Sequence, residues 1–321
     1  MKKASEYSQL KKKYHKSLDE LEAYLKQQGY AAGTIEQFKN YTAYFFNWKE
    51  QSSLEVITYN NLLVYIDYCS LQNDSTRLIN RKLAAIRKYY EYLQHKGAAI
   101  KNPASGLFLK GTKKGIPNNL LDKEELQQLY ANYQVYDLRT ARNKVILSLI
   151  INQAVTTGEL DRLEPIHIKL NSGKIEIPGS RHSKGRTLKL KASQIIELQQ
   201  YINKTRPAIL KTIKEETIRP ARKVKELNLA ELERKLFISL NGSLNIKNSL
   251  LHFTTSLKRL NESVRDLRQL RQSVIAEWLK TEDVRKVQYK AGHKHVSTTE
   301  RYQVNNLEDL QEALNNHHPL Q

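Results

Sequence analysis

Three residues in the C-terminal part of the chain are of types that can act together on a phosphate ester. They are Arg268, His293 and Tyr302, with a step of nine positions from the histidine to the tyrosine. A tyrosine hydroxyl, with an ordinary pKa of about 10, is a poor nucleophile by itself. Beside guanidinium groups and a phosphodiester, however, it can lose its proton during attack and form a phosphotyrosine bond. Arginine offers fixed, bidentate donors to the charge that gathers on the phosphate oxygens, and histidine can donate a hydrogen bond or carry a proton.

Short helices are predicted to position these side chains. Residues 283–292 begin with aspartate and end with glycine, which predicts a helix that ends directly before His293. An S-x-x-E pattern at 297–300 predicts a capped helix that carries Tyr302 in its first turns. Because Arg268 belongs to another helical segment, the three side chains lie at separate helix ends that a compact fold can bring together.

The charge of the chain indicates a polyanionic partner. The sequence has 53 lysines and arginines against 33 acidic residues, a formal net charge of +20, and both halves share the excess. A charge of this size indicates nucleic acid, and its spread argues against a basic arm at one end. The chain is 40% hydrophobic, which is enough apolar material for packed cores and excludes wholesale disorder.

The composition also excludes several classes of site. The single cysteine, Cys69, rules out an intrachain disulfide and a zinc cluster built on cysteines, and it fits a reducing compartment. A transmembrane helix needs about 18 consecutive apolar residues, and the sequence has no such run. We therefore expect a cytoplasmic, nucleoid-associated protein with no metal and no membrane partner.

The chain is predicted to be mostly α-helical and to have two domains. Residues 1–108 show helical spacing of apolar positions and predict a bundle of about four helices, with aromatic stripes in its core. Residues 109–120 contain glycines, a proline and lysines and predict a linker. Residues 121–306 predict a second, mainly α domain with a small antiparallel β-sheet, and 307–321 a tail helix.

Two further segments carry expectations about surfaces. Residues 203–235 are strongly charged and contain two prolines, which favours a helical insertion or an exposed lobe. The last helix of the bundle and the linker are rich in cations that could contact a phosphate backbone. These candidate contacts are Arg77, Arg81, Lys82, Arg87, Lys88, Lys110, Lys113 and Lys114.

Three motifs resemble the tyrosine recombinase (phage integrase) family. They are D-L-R within V-R-D-L-R-Q-L-R, A-G-H-K at 291–294 and S-T-T-E-R-Y at 297–302. The resemblance covers nearly the whole chain and implies a SAM-like core-binding domain and a catalytic domain that clamp duplex DNA. It further implies a 3′-phosphotyrosine intermediate, a free 5′-hydroxyl, and strand exchange by four protomers through a Holliday junction. No metal or nucleotide cofactor is implied, whereas accessory DNA-bending or directionality proteins are conceivable partners of such a mobile-element integrase.

Each catalytic residue of the family can be matched separately to a position in this sequence. Tyr302 matches the nucleophile, His293 the histidine before it, and Arg268 the second arginine. The family often has a histidine at the start of H-x-L-R, and counting back from Arg268 places Arg265 there. The family's G-L-R-x-x-E-L appears here as A-V-T-T-G-E-L, so Thr156 stands where the first arginine belongs.

The hairpin lysine also departs from the family pattern. S-R-H-S-K-G-R-T-L-K-L resembles G-K-x-x-K-x-R-x-x-P-L, and the ungapped alignment puts Arg181 at the usual lysine. We favour Lys184, the nearest lysine, because an ammonium can give up a proton to a leaving 5′ oxygen and a guanidinium cannot.

The missing first arginine leaves two hypotheses open. Losing one preorganised donor costs about 10²–10³ in rate if nothing replaces it. The candidate replacements are Arg162, Arg181, Arg265 and Arg271, and our hypothesis favours Arg265 or Arg181. The main hypothesis is an active site-specific recombinase. The alternative is a catalytically silent or impaired DNA-binding relative that acts as a partner or regulator of recombination, and a strand-passing topoisomerase shares the chemistry.

Overall fold

A computed structural model describes residues 9–52, 56–98, 100–111, 119–217 and 228–303 of the chain. The chain divides into two compact units, Met1–Lys114 and Gly115–Gln321. The division falls within the stretch 109–120 that the sequence predicts to be a linker. The predicted tail helix at 307–321 lies outside the described residues, and so do Lys113 and Lys114. Within the described ranges, no helix has the length and apolar character needed to cross a membrane.

The first unit is a bundle of four long helices, as predicted. They are α1 (His15–Gln27), α2 (Ala32–Gln51), α3 (Tyr59–Leu71) and α4 (Thr76–His95). Helix α2 packs against both α1 and α4. Phe45 and Trp48 of α2 are buried, their rings stack at 6.0 Å, and Trp48 lies 4.9 Å from Tyr65 of α3. The prediction that these aromatics form core is confirmed.

Lys82 of α4 is part of this core and not of the surface. Its Nζ lies 2.5 Å from Oδ2 of Asp74, and both side chains are 3% exposed. The same ammonium lies 3.9 Å from the centroid of the Tyr44 ring. An ion-paired lysine at this depth cannot reach a phosphate, which corrects the prediction that Lys82 contacts DNA.

The other described residues that the sequence predicts to contact DNA fall into two groups. Arg87 holds the segment that follows α4 in place, because its Nε and Nη2 donate to the carbonyls of Ala104 and Leu107 at 3.0 and 2.9 Å. Lys88 is half-buried and pairs with Glu91 at 2.5 Å. The exposed candidates among the described residues are Arg77, Arg81 and Lys110.

Lys82→Ala is expected to lower the free energy of unfolding of the first unit by about 3 kcal/mol, because it leaves the Asp74 carboxylate buried without its cation. The exposed neighbour offers a matched control, and Arg81→Ala should change this free energy by less than about 0.5 kcal/mol. Urea unfolding followed through Trp48 measures both, since the only other tryptophan, Trp278, lies in the second unit. Unchanged stability together with weaker DNA binding in Lys82→Ala would contradict the buried placement.

The second unit surrounds a small antiparallel sheet with helices. It opens with α5 (Lys123–Asn132), α6 (Leu138–Gln153) and the one-turn α7 (Thr157–Leu160). The strands are β1 (Ile168–Lys169), β2 (Lys174–Ile177) and β3 (Arg186–Lys189), in the order β1-β2-β3. Ile175 pairs with Ile168 on one side and Leu188 on the other, and these apolar side chains face the core. The three-stranded sheet predicted at about 166–190 is confirmed.

The remaining helices of the second unit follow the sheet. They are α8 (Ala192–Gln200), α9 (Arg206–Thr217), α10 (Leu229–Arg234), α11 (Lys247–Leu260), α12 (Leu267–Thr281), α13 (Val284–Ala291) and α14 (297–303), and a π-helical turn, Tyr201–Thr205, links α8 to α9.

Acidic side chains begin several of these helices. Asp122 and Glu125 form the predicted capping box of α5, with Glu125 N donating to Asp122 Oδ1 at 2.7 Å. Asp283 caps α13, which Gly292 ends in the left-handed conformation, as predicted.

Two expectations about the second unit are corrected. The described part of 203–235 is helical, as one of the two alternatives predicted, but it is not an exposed lobe, because Ile209, Ile213 and Leu232 are buried in the core. The S-x-x-E pattern does not cap α14 at Ser297. The helix begins at that serine, and the amide of Glu300 donates to the carbonyl of Val296 at 3.0 Å.

Candidate active site

The turn between α6 and α7 holds Thr156 in a structural role. Thr156 Oγ1 accepts a hydrogen bond from the amide of Glu159 at 3.1 Å, and Glu159 Oε2 accepts from the amide of Thr156 at 2.8 Å. This reciprocal capping box starts α7. At the position that the sequence pattern assigns to the first arginine, the Thr156 hydroxyl thus accepts a hydrogen bond from the backbone of its own turn.

A buried ion pair joins this turn to the hairpin strand β3. Arg186 donates from Nη1 and Nη2 to the two carboxylate oxygens of Glu159, at 2.6 and 3.1 Å. Their side chains are 0% and 1% exposed. Burial alone would raise the pKa of Glu159, but its bonds to Arg186 hold that pKa below the usual range. The bidentate pair thus fixes α7 against β3.

The arginine next to His293 is Arg271 of α12. Arg271 is buried, and it donates from Nη1 to the carbonyl of Ala154 and from Nη2 to that of Ala291, the latter at 2.6 Å. Its Nη2 also lies 3.4 Å from Nε2 of His293. Burial lowers the pKa of Arg271 to about 10, so the guanidinium stays charged near neutral pH.

Arg268, which the sequence pattern favoured, lies one turn earlier on α12 and is exposed. The motif V-R-D-L-R-Q-L-R contains L-R twice, and either copy fits the pattern by itself. The structure brings the second copy, Leu270-Arg271, to the histidine, which corrects the placement of Arg268. Counted back from Arg271, the first position of H-x-L-R is Arg268 and not Arg265, which is also exposed.

The hairpin turn lies along the Gly292-His293 segment. The amide of Lys184 donates to the carbonyl of Gly292 at 2.9 Å, and Ser183 forms an antiparallel bridge with His293. Lys184 and Arg181 are both exposed on this turn. The structure therefore brings the turn that carries Lys184 and Arg181, the two candidates for the hairpin cation, to the histidine.

Gly292→Ala is expected to destabilise the second unit by about 2–4 kcal/mol. Gly292 has φ +69°, and an added Cβ would clash with the Arg186 guanidinium and lie 3.0 Å from the carbonyl of Lys184. Gly158→Ala is the matched control, because its Cβ would meet nothing closer than Arg162 Nη1 at 3.7 Å. Urea unfolding followed through Trp278 measures both variants, and equal midpoints would contradict the close packing at Gly292.

His293 is held between the arginine and the tyrosine helix. Its Nδ1 lies 2.8 Å from Oγ1 of Thr299 in α14. Its ring stacks on that of Tyr302, with centroids 6.2 Å apart and an interplanar angle of 15°. Burial and the positive charges of Arg271, Arg186 and Arg301 lower the pKa of His293 to about 4, so the imidazole is neutral near pH 7.

The predicted site residues thus separate into two sets. Arg271, His293 and Tyr302 form one connected cluster, in which Tyr302 is 8% exposed, and the turn at Thr156 adjoins it through Ala154. The predicted residues that lie exposed outside this cluster are Arg162, Arg181, Lys184, Arg265 and Arg268.

Three residues around this cluster, Glu159, Arg186 and Thr299, were not identified from the sequence. Glu159 and Arg186 form a buried ion pair, and no local pattern shows that these two residues, 27 positions apart, are partners. Thr299 stands in the T-x-R-Y part of the ending, three residues before the tyrosine, and this helical spacing was its one signal.

Comparison with known proteins gives matches along most of the chain. Residues 119–308 match the model of the phage integrase family, and residues 18–97 match that of the phage integrase N-terminal SAM-like domain. A tyrosine recombinase XerD from Vibrio vulnificus is 22% identical over 307 residues, which are 93% of each chain. A tyrosine recombinase XerC from Bacillus pumilus is 25% identical and covers 98% of this chain and 94% of its own length.

Solved structures share the fold. The XerH site-specific recombinase bound to palindromic difH substrate superposes with a TM-score of 0.65 at 18% identity, covering 87% of this chain and 78% of the other. A lambda integrase tetramer bound to a Holliday junction gives 0.58 at 12% identity, covering 90% and 76%. The predicted fold class, a helical SAM-like unit followed by a mainly α unit with a small sheet, is confirmed.

Proposed function

The chain belongs to the phage integrase family, and from this premise we propose that it is a site-specific recombinase that cuts and rejoins duplex DNA through Tyr302. The observation that carries the proposal is the cluster in which Arg271 contacts His293 and His293 stacks on Tyr302. The proposed phosphate ligand, Arg271, lies on α12, the proposed proton carrier, His293, lies in the turn after α13, and the proposed nucleophile, Tyr302, lies on α14.

The reaction that fits this cluster is a transesterification. Tyr302 Oη forms a bond to phosphorus while the bond from phosphorus to the 5′ oxygen breaks, which leaves a 3′-phosphotyrosine and a free 5′-hydroxyl. His293, neutral in the free protein, can take up the tyrosine proton or donate to a phosphate oxygen after gaining a proton. Rejoining is the reverse step with a 5′-hydroxyl from the partner strand, so the phosphodiester energy is kept in the covalent bond.

Arg271 is our candidate for the family's second arginine. A guanidinium carries five N–H donors, and Arg271 directs two of its groups to backbone carbonyls. The bonds fix the plane of the guanidinium, and the N–H groups that engage neither these carbonyls nor His293 would meet a developing phosphorane charge. The proton for the 5′ oxygen would come from the hairpin turn, where Lys184 remains our choice over Arg181.

Thr156 is the feature that favours the alternative function. A site without the first arginine lacks a donor worth about 3 kcal/mol, which would suit a silent or impaired DNA-binding partner. The intact cluster of Arg271, His293 and Tyr302 favours the enzyme instead. Arg265 or Arg181 stays our hypothesis for the replacing cation.

The proposed partner is duplex DNA carrying an attachment site, bound by a homo-oligomer that becomes a tetramer during strand exchange. The exposed cations Arg77, Arg81 and Lys110 would contact phosphates, so affinity should fall steeply with salt. Accessory bending or directionality proteins belong to the same proposal, as does action at the nucleoid.

Covalent capture tests the proposed function. The protein is incubated with duplexes that have a random central sequence and a nick, so that the strand released by cleavage diffuses away. Denaturing washes then remove DNA that is only bound. We expect recovered strands to share a sequence. Sequence-selective binding without any covalently retained strand would establish the silent alternative, and retention without sequence preference would favour a topoisomerase.

A further inference from the structure

We infer that Thr299 is a positioning residue for His293, which fixes the ring so that Nδ1 carries the proton and Nε2 faces the reaction centre. The expected effect on DNA cleavage rests on the proposed function. The tautomer of His293 rests only on contacts within the free protein.

The tautomer follows from the two neighbours of the ring. A guanidinium group only donates, so Nε2 of His293 has to be the accepting nitrogen toward Arg271 Nη2, 3.4 Å away. A neutral imidazole has one protonated nitrogen, which leaves the proton on Nδ1. Nδ1 then donates to Thr299 Oγ1 at 2.8 Å. A threonine hydroxyl can accept this bond, whereas an alkyl group cannot.

Burial makes this bond selective. Thr299 is 0% exposed, so water does not compete for its hydroxyl. Burial and nearby arginines hold the pKa of His293 at about 4, which keeps the ring in the neutral form in which the tautomer matters. Without Thr299 Oγ1, the Nδ1–H of His293 would lose this acceptor, and the other tautomer would place a proton against the Arg271 guanidinium.

The same bond also positions the nucleophile. Thr299 and Tyr302 lie three residues apart on α14, so both side chains point to one face of the helix. His293 contacts the first through Nδ1 and the second through its ring. The hydrogen bond therefore ties the tyrosine helix to the Gly292-His293 turn, and it sets the tyrosine relative to Arg271.

The test compares Thr299→Val with Thr299→Ser and Thr298→Val. Valine keeps the shape of threonine and removes the acceptor, serine keeps the acceptor, and Thr298 offers the same change one residue away. Removing the partner that orients a histidine costs about 10–100-fold in metal centres, and we expect the same order in the cleavage rate of Thr299→Val. Thr299→Ser and Thr298→Val should stay within about threefold of the parent rate.

The decisive readout needs no DNA. In protein labelled with ¹⁵N in its nine histidines, a His293→Gln variant assigns the His293 signals. We expect the unaltered protein to show a protonated Nδ1 and a bare Nε2, and Thr299→Val to shift toward the other tautomer. A protonated Nε2 in the unaltered protein would overturn the inference, whether or not any variant folds. Equal cleavage by Thr299→Val and the parent would overturn its catalytic part, whereas a parent that does not cut would overturn the proposed function alone.

Discussion

Tyr302→Phe is expected to abolish covalent attachment to DNA while leaving DNA binding within about twofold. The substitution removes one oxygen, which is the atom that bonds to phosphorus in the proposed reaction. Phenylalanine keeps the ring that stacks on His293, so the local packing should survive. Cleavage is measured on a denaturing gel with a captured sequence, and binding on a native gel with the same duplex.

A matched control makes this comparison sharp. The chain has 18 tyrosines, so Tyr136→Phe, at a tyrosine that is 82% exposed, controls for loss of an unrelated hydroxyl. We expect that control to cleave at the parent rate. Covalent attachment by Tyr302→Phe would show that another residue is the nucleophile.

Arg271→Ala is expected to lower the cleavage rate by about 10³ or more, and Arg268→Ala by less than tenfold. Arg271 contacts His293, and its loss removes the phosphate ligand together with the group that fixes Nε2 as an acceptor. A single preorganised donor is worth about 10²–10³ in rate, and Arg271 does more than one task. Arg268 lies one turn earlier and is exposed, so its loss should remove a surface charge and leave the buried Arg271 in place.

The effect of Arg271→Ala on the stability of the protein has to be separated from its effect on the cleavage rate. Arg271 bonds to the carbonyls of Ala154 and Ala291, so Arg271→Ala also leaves two buried acceptors without donors. Arg271→Lys keeps a charge but cannot serve both carbonyls and a phosphate in one plane. We expect it to unfold close to the parent midpoint and still to lose about 10²-fold in cleavage. Equal losses for Arg268→Ala and Arg271→Ala would contradict the assignment of Arg271.

The fold was largely predictable because it depends on periodic patterns. Helical spacing, the Asp122–Glu125 box and Gly292 as a helix end are local signals, and the structure has each of them. The ending from His293 to Tyr302 was predictable for a similar reason, since both residues lie within one short turn-and-helix segment.

The site's arginine was not predictable from the same patterns. Leu267-Arg268 and Leu270-Arg271 read alike in sequence, and only packing shows which guanidinium is buried against Ala154 and Ala291. Lys82 shows the same limit. Its basic neighbours on α4 predicted a position at the surface. Lys82 instead lies in the core, where it forms an ion pair with Asp74, eight residues earlier.

The central claim is that Tyr302 forms a 3′-phosphotyrosine with cleaved DNA, and mass spectrometry of the covalent complex tests it most directly. The captured complex is digested with protease and nuclease, and the modified peptide is sequenced. We expect the residual nucleotide on Tyr302, linked through its 3′-phosphate, with a free 5′-hydroxyl on the released strand. A nucleotide on another residue, or a linkage through the 5′-phosphate, would contradict the claim.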